Sequence, residues 1–172
     1  MEKILLGMLM QKPYTGYDIR KKMELSTKFF FSTSQGSINP AFKKLERNGL
    51  VTTEEEVSNG RLHKIYTITE SGRSAFKEWL NSKVGVSKVK NDMLLRLFFF
   101  PYVSKDEKIQ ILENYLSELK MHIETMHNLG DVPQVRENCN KYEMATLEFG
   151  IGYYSFILGW YTNYLKQIKG EI

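Results

Sequence analysis

The chain has 172 residues, of which 42% are apolar and 26% charged, proportions that suit one or two folded domains and exclude a wholly disordered chain. A single cysteine excludes an intrachain disulfide framework and points to a reducing cytoplasm; no segment reads as an export signal. Charge is uneven. Residues 1–90 hold 16 Lys and Arg against 9 Asp and Glu, a net of +7, and residues 91–172 hold 8 against 11, a net of −3. A basic first half is suited to a polyanionic partner.

The first element is a helix over Glu2 to Gln11, with Ile4, Leu5, Met8 and Leu9 at helical spacing and Pro13 ending it. Thr15 is the candidate N-cap of a second helix, Gly16 to Leu25, which offers Tyr17, Ile19 and Met23 to a core. A loop holding Phe29, Phe30 and Phe31 follows. The third helix spans about Gln35 to Asn48. Either Ser34 or Asn39 could cap it, the latter with Pro40 at its first position, and Gly49 stops it. Two strands, Leu50 to Val57 and Leu62 to Thr69, flank an Asn59-Gly60 hairpin signal, and Tyr66 and Ile68 are the expected buried pair of the second. Thr69 caps a fourth helix, Glu70 to Lys83, with Phe76, Trp79 and Leu80 facing inward. Three helices followed by a hairpin make a winged helix-turn-helix, in which the third helix and the hairpin can grip one duplex.

The second half is helical. A short helix, Asn91 to Phe100, is stopped by Pro101, and Ser104 with Glu107 fits a capping box. Ile109, Leu112, Leu116, Leu119, Ile123 and Met126 then follow a coiled-coil seam, until Gly130 and Pro133 break the chain. A last helix is expected from Gln134 to Lys166. Its two apolar seams are Cys139, Tyr142, Phe149, Tyr153, Phe156 and Trp160, and Ile151, Tyr154, Leu158, Tyr161 and Leu165. A helix apolar on both sides has to be covered on both sides, and a second copy of the chain is the expected cover.

The third helix divides on a wheel. Ile38, Phe42 and Leu45 lie on one side. Gly36, Asn39, Pro40, Lys43 and Arg47 lie on the other, flanked by Ser37 and Lys44, and Gln35 at the start of the helix is a further candidate for DNA contact. Gly36 admits close backbone approach, Asn39 can pair with adenine, and Lys43 or Arg47 can reach guanine or phosphate. At the hairpin, Asn59, Gly60, Arg61, His63 and Lys64 are candidates for phosphate or minor-groove contact, against an acidic run at Glu54 to Glu56. A solvated helix face and a solubilising hairpin are the bland alternatives.

These stretches resemble the PadR family of bacterial transcription regulators. The resemblance runs through ILLGMLMQKPYTGYDIRKKM, GSINPAFKKLERNGLV and GRLHKIYTITESGR, and on through NDMLLRLFFF to the C-terminal helices. It implies a cytoplasmic homodimer, a groove-reading third helix, a wing and dimerising C-terminal helices. Two positions depart from the family's usual pattern. Asn39 stands where Tyr usually precedes the helix proline, and His63 replaces the second Arg of the wing's G-R-x-R-K, so the DNA roles carried to these two residues are the weakest.

The expected fold is therefore mostly α with a small β-hairpin: a winged helix-turn-helix over residues 1–84 and antiparallel C-terminal helices over 85–172. The expected function is a DNA-binding regulator, a repressor more than an activator, that binds a pseudo-palindromic operator as a homodimer. Leu112, Leu116, Leu119, Ile123, Phe149, Tyr153, Phe156 and Trp160 are the candidate dimerisation residues. A small aromatic or hydrophobic effector could enter among the C-terminal aromatics, although plain packing accounts for any one of them. The alternative function is a dimeric scaffold that kept the fold and lost the operator.

Other chemistry finds little support. His122 and His127 are five apart and do not share a helix face, so no metal site is expected, and no cofactor motif or nucleophile elbow is present. Phe149 to Leu165 carries no charge over 17 residues, too short for a membrane span and with aromatics spread along its length, so no membrane is expected.

Overall fold

The computed structural model describes residues 1–25, 35–58, 61–86 and 91–170. The phenylalanines at 29–31, Ser34, Asn59 and Gly60 lie outside the described residues, as do the side chains of Gln35 and Arg61. The chain divides into two compact units, Met1–Val86 and Ser87–Ile172.

The first unit contains α1 (Glu2–Leu9), β1 (Tyr14–Thr15), α2 (Gly16–Leu25), a 3-10 turn (Gln35–Ser37), α3 (Ile38–Arg47), β2 (Val51–Ser58), β3 (Arg61–Ile68) and α4 (Glu70–Leu80). Local chemistry sets the boundaries. Thr15 Oγ1 accepts from the Asp18 amide at 3.1 Å and starts α2. Gly49, at φ 66°, ends α3. Its amide donates to Glu46 and the Leu50 amide donates to Leu45, both at 2.9 Å, the paired bonds of a Schellman stop. Thr69 Oγ1 accepts from the Gly72 amide at 3.0 Å and starts α4. Gly72 is needed for a second reason: a Cβ there would lie 2.1 Å from the Leu50 carbonyl oxygen, so α4 can press on the base of the hairpin only through a glycine.

The sheet is antiparallel in the order β1-β3-β2. Tyr14 pairs with Tyr66 and Thr15 with Ile65, and β2 and β3 pair from Val51–Ile68 out to Ser58–Arg61. The core gathers Leu5, Leu6, Leu9, Ile19, Met23, Ile38, Phe42, Leu45, Val51 and Ile68. Three expected core residues are not in it. Tyr17, Trp79 and Leu80 are exposed, and of the predicted α4 trio only Phe76 packs on the core. Tyr17 is two residues from buried Ile19, about 200° round the helix, so the two cannot face the same way.

The second unit contains α5 (Asp92–Phe98), a 3-10 turn (Phe100–Tyr102), α6 (Lys105–Asp131), α7 (Pro133–Asn138) and α8 (Lys141–Lys169). The Ser104–Glu107 capping box opens α6, and Gly130 lies inside that helix instead of breaking it. The single final helix expected from Gln134 is two helices. Asn140 takes an extended conformation and accepts from the Tyr142 and Glu143 amides, while the Glu143 carboxylate accepts from the Asn140 amide at 2.8 Å. This second capping box restarts the helix.

Helices α6 and α8 run antiparallel. Met126 meets Gly150, the Tyr115 and Tyr161 rings meet edge to face at 5.2 Å, and Lys169 pairs with Glu113 at 2.8 Å. Between them Leu112, Leu116 and Leu119 pack with Ile157, Tyr161 and Leu165, and Met93 and Phe100 join the same core. This corrects the placing of the α6 seam at a dimer interface. Leu112, Leu116 and Leu119 are buried within one protomer and Ile123 is half-buried, because α8 of the same chain covers them. Phe149, Tyr153, Phe156 and Trp160, also expected at an interface, lie on the outward side of α8 and are exposed. No described helix is long and apolar enough to cross a membrane.

Candidate nucleic-acid interface

Helix α3 buries Ile38, Ala41, Phe42 and Leu45. Its orientation is fixed by one contact above others: the Phe42 ring lies flat on Tyr66 of β3, with centroids 3.6 Å apart and planes 8° from parallel. Burial pushes the Tyr66 phenol above its usual range; Lys64 opposes the shift and Glu46 adds to it. The stack ties the helix to the hairpin, so the two present their outer surfaces as one piece.

On the side of α3 turned away from the core, Asn39, Lys43 and Arg47 are exposed in a row at four-residue spacing, with Gly36 exposed one turn before. Asn39 is not the cap: the helix already begins at Ile38 with Ser37 at its N-cap, and Asn39 lies exposed in its first turn. Lys43 and Arg47 have no ion-pair partner among the described residues. Lys44 differs. Its Nζ lies 2.8 Å from Glu2 Oε1, so its charge is turned toward α1 and partly neutralised.

The hairpin also sorts the candidates. Side chains alternate faces along a strand. Lys64 therefore shares the Tyr66 face, where it pairs with Glu55 across the ladder at 3.4 Å. His63 lies on the other face, directly across from Glu56. Two of the wing residues expected to reach a duplex together, His63 and Lys64, are thus split between two faces. The acidic run is split in the same way: Glu54 and Glu56 face one side and Glu55 is spent on Lys64.

Sequence reasoning missed two features of this unit. Tyr17 stands exposed in the first turn of α2, a position that wheel arithmetic would have found. Lys12 and Lys22 hold their ammonium groups 5.2 and 5.5 Å from the Tyr14 ring, a pairing created by the β1 strand and without a signature in the sequence.

In the second unit the aromatic side chains are of two kinds. Tyr161 is buried, and its hydroxyl has no hydrogen-bond partner among the described residues. Burial, with the Tyr115 and Tyr153 phenols, pushes its pKa up to about 12. The His122 ring meets Tyr154 edge-on at 4.5 Å. Outside, Tyr142, Phe149 and Phe156 repeat every seven residues, with Tyr153 and Trp160 beside them, and form an open aromatic stripe.

Comparison with known proteins agrees with this architecture. The transcriptional regulator PadR-like family profile matches residues 5–78, and the virulence activator alpha C-terminal profile matches residues 89–169. The chain is 24% identical to the negative transcriptional regulator PadR of Bacillus subtilis over 148 residues, 85% of this chain and 80% of that protein. The crystal structure of that protein in complex with operator DNA has a TM-score of 0.88 to this one at 21% identity, over 97% of this chain and 98% of that one. Its structure in complex with p-coumaric acid has a TM-score of 0.81 at 21% identity, over 98% of each chain. A PadR-like transcriptional regulator from Bacillus cereus has a TM-score of 0.83 at 25% identity, over 99% of each chain. The winged-helix unit thus matches the PadR-like family of transcriptional regulators, and the helical unit matches the C-terminal region of virulence activators.

Proposed function

We propose that the protein is a repressor that binds a pseudo-palindromic DNA operator as a homodimer and is released by a small aromatic or hydrophobic effector. The observation that carries this reading is the outward row on α3, Asn39, Lys43 and Arg47, on a helix clamped to the wing by the Phe42–Tyr66 stack. In the major groove Asn39 can bond adenine through both its amide atoms, and Lys43 and Arg47 can reach guanine or phosphate. Gln35, Gly36 and Ser37 would add contacts at the start of the helix, and Arg61, with Asn59 and Gly60, would extend the grip at the wing.

The open stripe of Phe149, Tyr153, Phe156 and Trp160 supports the dimer, since a two-fold interface uses one patch twice. Two α3 helices related by that axis would enter successive major grooves about 34 Å apart, and the operator would repeat as an inverted pair. The repressor sign and the effector follow the Bacillus subtilis relative, a negative regulator solved with operator DNA and with p-coumaric acid. An effector acts here if it binds one spacing of the two α3 helices better than another.

Selection of duplexes from a random pool, followed by a salt titration of the winners, tests the reading. Enrichment of an inverted repeat, bound with steep salt dependence, is expected. A pool that enriches nothing would return the protein to the scaffold alternative.

A further inference from the structure

Val57 and Leu62 face each other across β2 and β3, one rung inside the last pair of the hairpin, and are 70% and 61% exposed. Both stand on the sheet face that carries Tyr66, the face on which α3 stacks. Leu62 is four residues beyond Tyr66, so the rung projects about 13 Å past that stack. The intervening rung, Glu55 with Lys64, is neutralised by its own ion pair. The last described rung on the α3 side of the wing is therefore two open aliphatic side chains with no net charge behind them, where a solubilising hairpin would carry polar ones.

We propose that Val57 and Leu62 are an apolar DNA contact, packing on the sugar and base edges of the minor groove that flanks the major groove entered by α3. The proposal rests on the DNA-binding reading above and adds a contact of a different kind. Deoxyribose presents C–H surface, and apolar side chains lodge in minor grooves and between base steps. Such a contact strengthens binding without releasing counterions. Its signature is thus a contribution to affinity that does not change with salt, in contrast to that of a cation on phosphate.

The test uses the full chain and a duplex from the selection above. Val57→Ser with Leu62→Ser should preserve the fold by circular dichroism, because both side chains are already open. Partly covering two such side chains is of the order of ten-fold in Kd for each wing, about a hundred-fold for the two wings of a dimer, and that weakening should be the same from 50 to 200 mM salt, with the slope of log Kd against log salt unchanged. Arg61→Ala is the contrasting variant and should flatten the slope. An unchanged Kd would overturn the proposal and leave the rung idle. A changed slope would assign it to phosphate placement through its neighbours. Loss of the dimer on sedimentation would show the rung covered by a second copy. If the wild-type chain binds no selected duplex, the DNA reading fails and takes this contact with it. If the wild type binds and the double variant binds equally well, only the contact fails.

Discussion

Assembly can be tested without touching the protomer's core. Deleting the last helix would be uninformative, because α8 supplies Ile157, Tyr161 and Leu165 to that core and the second unit would lose its fold along with any interface. Phe149 and Phe156 are better targets. They are 75% and 70% exposed in the single chain, so Phe149→Ser with Phe156→Ser removes little that the protomer uses. A buried Phe side chain contributes about 1.5–3 kcal/mol. With two such residues per protomer and four in a two-fold dimer, even about 1.5 kcal/mol each makes about 6 kcal/mol of interface, roughly four orders of magnitude in the dissociation constant. Part of this area is not converted to affinity when partners associate, so a loss of about a thousand-fold is the conservative expectation. Sedimentation equilibrium at micromolar concentration should find the wild type dimeric and the variant monomeric, with helical content unchanged by circular dichroism. Operator affinity should fall with the dimer although every α3 residue is intact. A monomeric wild type, or a variant that dimerises as tightly as the wild type, would refute the reasoning.

Two further outcomes follow from single side chains. Asn39→Ala should cost about 1–3 kcal/mol on the selected operator and relax preference at one position per half-site, measured by competition between duplexes; an equal loss on every sequence would make it a placement residue instead. Tyr161, whose folded pKa of about 12 lies above the usual value near 10, contributes stability that is complete below pH 10 and is lost as pH rises toward 12, by up to about 2–3 kcal/mol. Tyr161→Phe should remove that alkaline loss, leave a protein at neutral pH as stable as the wild type or more so, and show both in urea titrations at pH 7 and pH 11.

Features with short-range causes were the most legible in the sequence. Thr15, Thr69 and Ser104 each cap the helix expected of them, and an Asn-Gly pair with flanking alternation was enough to set the hairpin's strands to within a residue. The α7–α8 break had an equally local cause, the Asn140–Glu143 box, but a long apolar run beyond it masked the signal. Strand β1 has two residues and no period to read; it exists because Tyr14 and Thr15 find Tyr66 and Ile65 on a distant strand. The α6 seam was read correctly as a seam. A heptad pattern says that a helix wants a partner and does not say which, and the partner in this structure is α8 of the same chain. At the candidate site, the wheel gave the α3 row, whereas the ion pairs of Lys44 with Glu2 and Lys64 with Glu55 depend on tertiary placement and were invisible.

Those two ion pairs change what the net charge of the first half implies. A surplus of +7 over residues 1–90 suggests a broad cationic surface, yet Lys44 and Lys64 already hold carboxylates, and exposed pairs of this kind do not give up their partner to a phosphate without exchanging one contact for another. Among the candidates with described side chains, Lys43 and Arg47 are left for DNA, and the proposed wing contact of Arg61 makes the count six in a dimer. Each phosphate neutralised contributes about −0.9 to the slope of log K against log salt, which gives about −5 for the dimer. Were Lys44 and Lys64 released to the duplex, ten cations would give about −9. Fluorescence anisotropy on the selected operator between 50 and 200 mM salt separates the two values. Lys44→Ala should leave a slope of −5 where it is, and Arg61→Ala should reduce it by about two, one for each protomer. A wild-type slope near −9 that Lys44→Ala flattens would mean that the Glu2 pair opens on binding, and a slope near zero would remove phosphate contact from the reading altogether.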